Sequence, residues 1–405
     1  MKFLKNIYHY LLAFLGSVFY GNPSKKLYVI GVTGTKGKSS TVSLLGDILK
    51  RSGEKVAVLS SATVFAGDYV LKKKTSNTMP GRFFIQKFLR RAVIEKCKYA
   101  IVEVTSQGVL QYRHRFIGFD AAIFLNIHPE HIEAHGSFEA YRDAKVSFFR
   151  YIAFNSKKKN LFFLVNRNDA ESKFFIDVVN GKGRVVYFDE KDFSDRFFPE
   201  NTHMSYWFAS DFNKENAAAA GIMVLELGVS PEFISETLRS FSGVPGRFEV
   251  VSHSPRVIVD YAHTPHSLEK LYRFLNETRK DKSSKLICVL GSCGGGRDVW
   301  KRPVFGKIAS ERCQAIFLTD EDSYDEDRQK IISDIRSGIS QEFPKENIFE
   351  FLDRGEAISR AIKFADKDDT VVISGKGNEQ WLHLSRGRKI PWSDSEIAKN
   401  CIDGI

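Results

Sequence analysis

Cysteine is scarce and poorly spaced for structural use: there are five in 405 residues, an odd number with no C-x-x-C pair. That excludes a disulfide framework and the common zinc ligand spacings, and it fits a reducing cytosol. Long hydrophobic runs are lacking as well. The apolar stretch over residues 7–20 is too short to span a bilayer and carries His9 and three tyrosines. There is no internal repeat and no low-complexity tail. The basic excess, formally +11, is scattered, with short runs only at Lys72-Lys73-Lys74 and Lys157-Lys158-Lys159. No aromatic-basic stripe accompanies those runs, so nucleic acid is not an expected partner.

Lys2 and Lys5 ahead of the 7–20 stretch superficially resemble a signal peptide. The stretch leads within a few residues into the first strand, however, and cleavage would leave the fold almost nothing before it. Residues 1–25 are therefore read as an apolar packing helix, with peripheral membrane contact through residues 7–20 as the alternative.

What is present in abundance is alternation. Apolar β-rich runs at residues 27–32, 56–59, 99–104, 121–126, 161–166 and 185–188 are separated mostly by helix-like stretches. This predicts a mostly parallel α/β sheet. "NKENAAAAGIMVLELG", residues 213–228, reads as one long helix, and a shorter one follows at 231–240. The turn-rich "GVPGRFEVV", residues 243–251, looks like a domain boundary. Beyond it the alternation restarts at 257–260, 286–290, 315–319, 348–351 and 370–374. The fold class expected is α/β: a central ATPase-type domain with a glycine phosphate loop at residues 26–243, then a smaller Rossmann-like α/β domain at 244–405.

The segment "YVIGVTGTKGKSSTVSLLGDILK", residues 28–50, reads as strand, glycine loop, helix. Bare backbone at Gly34 and Gly37 lets amide groups, with those of Thr35, Lys36 and Ser40, face phosphate oxygens at a helix N-terminus. Lys38 suits the β and γ phosphates, and the Ser39 hydroxyl suits Mg²⁺. The strict G-x-x-x-x-G-K-[ST] pattern misses, because Val32 stands where it requires glycine and the earlier glycine is Gly31. Two later strands end in chemistry-bearing runs, where open α/β sheets bind ligands. One is "EVTSQGVLQYR" from Glu103. The other is "HPEHIEAHGSFEAYRDAK", which contains His131 and Lys145.

Together with "SNTMPG", "FNKEN", "VPGRFE", "DYAHTPHSLE", "GSCGGGRDVWKRP", "LTDEDSYDED" and "GKGNE", these runs resemble the Mur ligase family. Its members are ATP-dependent amide-forming ligases of peptidoglycan synthesis, and the resemblance is closest to the branch that adds the third amino acid. It covers roughly residue 27 to the C-terminus. It implies ATP and two Mg²⁺ ions, one held by Ser39 and Glu103 and the other served by His131 and Lys145. Because an ammonium cannot bind a cation, it further implies that Lys145 is carbamylated by CO₂. Asn77, Thr78, Ser106, Gln111 and Arg113 would grip a UDP-muramoyl-peptide, with Met79 departing from the family's threonine. Asn213, Asn216, Arg247 and Asp260 would contact ATP. Arg297, Gly375 and Glu379 would meet the incoming amino acid.

Where diaminopimelate-adding members carry "DNPR", this chain has "EDSY", Glu321 to Tyr324. A lysine or ornithine side chain against Glu321 and Asp322 is the resulting expectation. Only 33 residues precede Gly34, so the UDP-binding domain that family members carry at the N-terminus is expected to be missing. A cytoplasmic monomer is expected. The alternatives are a folylpolyglutamate synthetase-like ligase and a nucleotide-binding regulator that has lost catalysis.

Overall fold

A computed structural model describes residues 2–71, 77–130, 135–198 and 205–404. The chain forms two compact units, residues 1–242 and 243–405.

The first unit is built on strands β1 (Tyr28–Thr33), β2 (Val56–Leu59), β3 (Val64–Ala66), β4 (Tyr69–Val70), β5 (Tyr99–Glu103), β6 (Ala121–Phe124), β7 (Phe162–Asn166) and β8 (Arg184–Phe188). They are ordered β4-β3-β2-β5-β1-β6-β7-β8. β2, β5, β1, β6, β7 and β8 run parallel, and β3 and β4 form an antiparallel edge. Parallel strands buried on both faces need continuous apolar runs, and β2, β5, β6 and β7 are buried at every position. The helices are α1 (Lys2–Phe19), α2 (Lys38–Arg51), α3 (Arg82–Ile94), α4 (Ser106–Leu110), α5 (Phe138–Asn155), α6 (Ser172–Val179), α7 (Lys191–Phe197), α8 (Asp211–Glu226) and α9 (Pro231–Arg239).

Phenylalanine fills the layer between sheet and helices. Phe124 stacks on Phe175 with ring centroids 3.7 Å apart, and Phe119 meets Phe148 edge-on at 5.0 Å. Gly31, the glycine one place from the Walker position, belongs to this packing. A Cβ there would collide with the Phe148 ring and approach Phe119 to 3.0 Å. Its role is room for aromatic rings beside β1.

The second unit orders β9 (Glu249–His253), β10 (Arg256–Asp260), β11 (Leu286–Leu290), β12 (Ala315–Thr319), β13 (Ile348–Phe351) and β14 (Thr370–Ser374) as β13-β12-β11-β14-β10-β9. All pairs are parallel except β9 with β10. The turn-rich connector expected at residues 243–251 is therefore only partly a connector, because its last three residues begin the antiparallel edge strand. A small ribbon, β15 (Trp381–His383) with β16 (Lys389–Pro391), follows β14.

Candidate active site

β1 lies between β5 and β6, with Val32 beside Glu103 and Thr33 beside Phe124. Crossing to opposite sides of β1 opens a crevice at the carboxyl ends of these strands. The loop from Gly34 to Gly37 fills that place and starts α2. Gly37 is the N-cap at φ 82°, a left-handed conformation open to glycine. A Cβ there would also collide with the Asn216 amide.

Polar clasps hold the loop. The Thr35 amide donates to the Asn126 carbonyl at 2.8 Å, the Lys36 amide to Asn126 Oδ1 at 2.9 Å, and the His128 amide to Thr35 Oγ1 at 3.0 Å. Thr35 Oγ1 and the Tyr141 hydroxyl lie 3.0 Å apart. Lys36 Nζ is 3.2 Å from Glu130 Oε1.

Lys38 Nζ folds back onto the Gly34 and Thr35 carbonyls at 3.0 and 2.8 Å. Lys145 Nζ, on α5, reaches the same Gly34 carbonyl at 2.7 Å. Lys145 is only 1% exposed. Burial, reinforced by the nearby Lys38 charge, drives its pKa well below the ordinary lysine value. The neutral amine is favoured there, which is the form that reacts with CO₂.

Glu103 and Ser39 are both buried. Glu103 Oε2 accepts from Ser39 Oγ at 3.0 Å and from the Ser61 amide at 2.9 Å, while the Ser39 and Ser61 hydroxyls are 2.7 Å apart. Ser61 joins this cluster without a motif of its own to signal it. Ser40 is buried in the first turn of α2. Among the described residues, no three His, Cys, Asp or Glu side chains converge as a protein-only metal cage. The hard oxygens of Ser39 and Glu103 suit a magnesium ion that keeps water and phosphate ligands. His131 lies outside the described residues.

Other expected residues divide between the two units. Arg113 donates to Gln111 Oε1 at 2.7 Å and to the Met79 carbonyl, while Arg82 holds the Gln111 carbonyl at 2.9 Å. Met79 is buried, and its sulfur accepts the Thr105 amide at 3.4 Å. The thioether thus takes up the start of α4, where Ser106 is buried. Asn77 is exposed and Thr78 half-buried. Asn213 and Asn216 are buried on α8. Asn213 donates to the Trp207 carbonyl at 2.8 Å, and Asn216 Oδ1 accepts from Thr41 at 3.4 Å. In this structure both asparagines hold chain to chain.

In the second unit, the Arg247 guanidinium lies 4.0 Å from the Tyr261 ring centroid and donates to the Gly246 carbonyl at 3.2 Å. Asp260 accepts the Phe248 amide at 2.7 Å. Lys376, the unsingled lysine of "GKGNE", is fully buried and donates to Asp322 at 2.8 Å, Glu379 at 2.7 Å and the Trp381 carbonyl at 2.7 Å. Asp322 and Glu379 are therefore counter-ions to an internal lysine, and the Tyr261 hydroxyl also binds Glu379 at 2.9 Å. This weakens the electrostatic case for a cationic substrate side chain at Asp322. Tyr324 stacks on His383 at 5.2 Å, and the Arg297 guanidinium lies 5.0 Å from its centroid.

Glu321 is buried against Gly375, where a Cβ would strike its carboxylate. Burial pushes its pKa up to about 7, against the pull of Arg354, Lys301 and Lys376. Below the unfolded value of 4.5 the group is protonated in both states and has no effect. Between 4.5 and 7 the unfolded state ionises while the folded state still holds the proton, so the penalty grows with pH, and above 7 it applies in full, ~3 kcal/mol for a shift of this size. Glu321→Gln is thus expected to match wild-type stability near pH 4 and exceed it at pH 8. Urea denaturation at the two pH values checks this, and a difference independent of pH would refute it.

The first unit matches the Mur ligase middle domain over residues 32–228, and the second matches the Mur ligase glutamate ligase domain over 246–377. The chain is 34% identical over 403 residues to UDP-N-acetylmuramoyl-L-alanyl-D-glutamate–2,6-diaminopimelate ligase of Aquifex aeolicus (strain VF5), covering 95% of this chain and 80% of that protein. It is equally 34% identical to the UDP-N-acetylmuramyl-tripeptide synthetase of Borreliella burgdorferi, covering 95% and 78%. A solved structure of a 2,6-diaminopimelate ligase superposes with TM-score 0.60 at 26% identity, covering 93% of this chain and 78% of that one. Mycobacterium tuberculosis folylpolyglutamate synthase shares the fold at TM-score 0.66 and 14% identity, covering 93% and 96%. With two domain models in order and identity sustained along the chain, this protein belongs to the Mur ligase family of ATP-dependent ligases that form carbon–nitrogen bonds.

Proposed function

We propose that the protein joins an amino acid to UDP-N-acetylmuramoyl-L-alanyl-D-glutamate at the expense of ATP, in peptidoglycan synthesis. The observation that carries this reading is the convergence of Lys38 and Lys145 on the Gly34 carbonyl, beside the Ser39–Glu103 pair.

Bringing a substrate carboxylate against a γ-phosphate opposes like charges, several kcal/mol at about 4 Å and an effective dielectric of ~20. The amides of Gly34 to Ser40 would cradle the phosphates, and Lys38 would exchange its two carbonyl partners for phosphate oxygens. The carboxylate oxygen attacks the γ-phosphorus, ADP leaves, and the amine of the amino acid then attacks the acyl phosphate carbonyl to release phosphate. Ser39 and Glu103 would hold one Mg²⁺, and a Lys145 carbamate with His131 would serve a second. When bound, these ions supply positive charge that stabilises phosphoryl transfer. Arg113 is suited to an acceptor carboxylate or phosphate, and Asn77, Thr78, Ser106 and Gln111 are assigned to the same acceptor. Asn213, Asn216, Arg247 and Asp260 are assigned to ATP, and Arg297, Glu321, Asp322, Gly375 and Glu379 to the incoming amino acid.

For that amino acid, the proposal is a cationic or neutral side chain, because Tyr324 cannot pair with a distal carboxylate as an arginine does. Phosphate release with this acceptor and a panel of amino acids is expected to favour lysine or ornithine. A clear preference for meso-diaminopimelate would overturn the assignment. Turnover with folate and glutamate would instead favour the folylpolyglutamate reading, which the shared fold keeps as a comparison.

A further inference from the structure

Helix α1 is amphipathic in reverse. Surface helices of globular proteins turn their large apolar side chains toward the core. Here the residues facing inward are small or polar: His9, Ala13, Gly16 and Ser17 are buried, with Gly16 against the Phe83 ring. Those facing solvent include Leu4, Tyr8, Leu11, Leu15 and Val18, spaced four, three, four and three, with Phe14 beside them. At about 100° per residue they belong to an apolar arc covering about half the helix circumference. Leu4 is 70% exposed and Phe19 75%. A soluble monomer seldom leaves so continuous an apolar face uncovered.

Charge indicates what covers it. No Asp or Glu precedes Asp47, while Lys25 and Lys26, in the turn after α1, are exposed. Their short turn, Pro23–Lys26, packs on α3, as does α1. On α3, exposed Phe83 extends the apolar surface toward Lys87 and Arg90, one and two turns farther on and also exposed. The apolar arc is thus edged by cations from two further elements. We infer that α1 seats the protein on an anionic lipid surface, lying flat in the headgroup region with its small-residue face still packed on the first unit.

A second copy of the chain fits less well. Residues 6–24 contain no charged side chain to set coiled-coil pairing, and apposed copies would bring two basic rims toward each other. Crossing the bilayer is a different case, since no described helix is long and apolar enough for it. Interfacial helices of this kind combine apolar burial with attraction to anionic lipid.

The test is flotation of the full-length protein with phosphatidylglycerol-containing vesicles, pure phosphatidylcholine vesicles, and no vesicles. Recovery in the floating fraction is expected with anionic vesicles and to fall steeply with salt. Leu11→Glu/Leu15→Glu, which alters exposed positions only, is expected to lower partitioning at least ten-fold while leaving the melting temperature and vesicle-free ligase activity unchanged. Lys25→Glu/Lys26→Glu/Lys87→Glu is expected to remove the anionic preference, at about five-fold or more per charge. Failure of the wild type to float would overturn the inference. So would equal flotation of the Leu11→Glu/Leu15→Glu variant, or a concentration-dependent dimer in light scattering that this variant dissolves.

Discussion

Lys145→Ala is expected to remain folded and lose at least a thousand-fold in kcat, about 4 kcal/mol of transition-state stabilisation. A lysine that only donated to the Gly34 carbonyl, as Lys145 does at 2.7 Å, would not predict so large a loss. What disappears on this account is an anion made from a neutral amine, with CO₂ added at Nζ and one proton released. Desolvation and the Lys38 charge depress the Lys145 pKa, so the reactive amine is populated at a lower pH than for a solvated lysine. The sign for stability follows. The folded state binds fewer protons than the unfolded state between the depressed and ordinary values, so this group's contribution improves as pH rises through that window. Two readouts separate carbamate from plain lysine. Wild-type activity should fall in CO₂-depleted buffer and return with bicarbonate, and ¹³C-bicarbonate should give a carbamate signal absent from Lys145→Ala. Full turnover by the variant would eliminate the assignment.

Arg354→Met is expected to destabilise the second unit by about 3–5 kcal/mol, because it strands a buried charge. Arg354 opens the helix Arg354–Phe364, and its guanidinium donates to Asp394 Oδ1 and Oδ2 at 2.9 and 2.7 Å. It also donates to the Ser374 carbonyl at 2.8 Å. Both members of the ion pair are fully buried, and Asp394 starts the C-terminal helix Asp394–Asp403. One cation thus fastens two helices to the end of β14. Among the described residues, removing it leaves the Asp394 carboxylate the Trp392 indole donor at 2.8 Å. Arg354→Met/Asp394→Leu should recover much of the loss, since replacing both charges removes the desolvation penalty along with the attraction. Urea denaturation followed by tryptophan fluorescence measures both variants, and a cost under about 1 kcal/mol for the single change would contradict this account.

The sequence reads well where burial on two sides forces an unbroken apolar run. The inner parallel strands of both sheets show it, while the edge strands β8 and β13, which are not buried on two sides, are legible from the short apolar runs at 185–188 and 348–351 alone. The hairpin β3–β4 did not, because Val64–Ala66 and Tyr69–Val70 are too short to show a period and the latter is exposed. β9 was masked by the glycines and proline ahead of it, its residues being half-buried on a sheet edge. In the site, the glycine loop and the following strand end point to Lys38, Ser39 and Glu103 from the residues themselves, whereas Lys145 is singled out only by the family resemblance; the structure gives these side chains contacts at the loop and at the first turn of α2. Lys376 carries no signal in the sequence, since a lysine between two glycines gives no sign of burial, although its bonds decide how much charge Asp322 and Glu379 can offer. For α1, composition shows an apolar helix but cannot show which face turns outward. That orientation is seen only in the structure, where Ala13, Gly16 and Ser17 are the buried positions.

The central claim is that the cradle activates a carboxylate by phosphorylating it. Its most direct measurement uses UDP-N-acetylmuramoyl-L-alanyl-D-glutamate labelled with ¹⁸O in the glutamate carboxylates, incubated with ATP, Mg²⁺ and the preferred amino acid. The account predicts one ¹⁸O in each phosphate released, at a rate equal to amide formation. Phosphate free of ¹⁸O, its fourth oxygen coming from water, or phosphate released at the same rate without the acceptor, would contradict it.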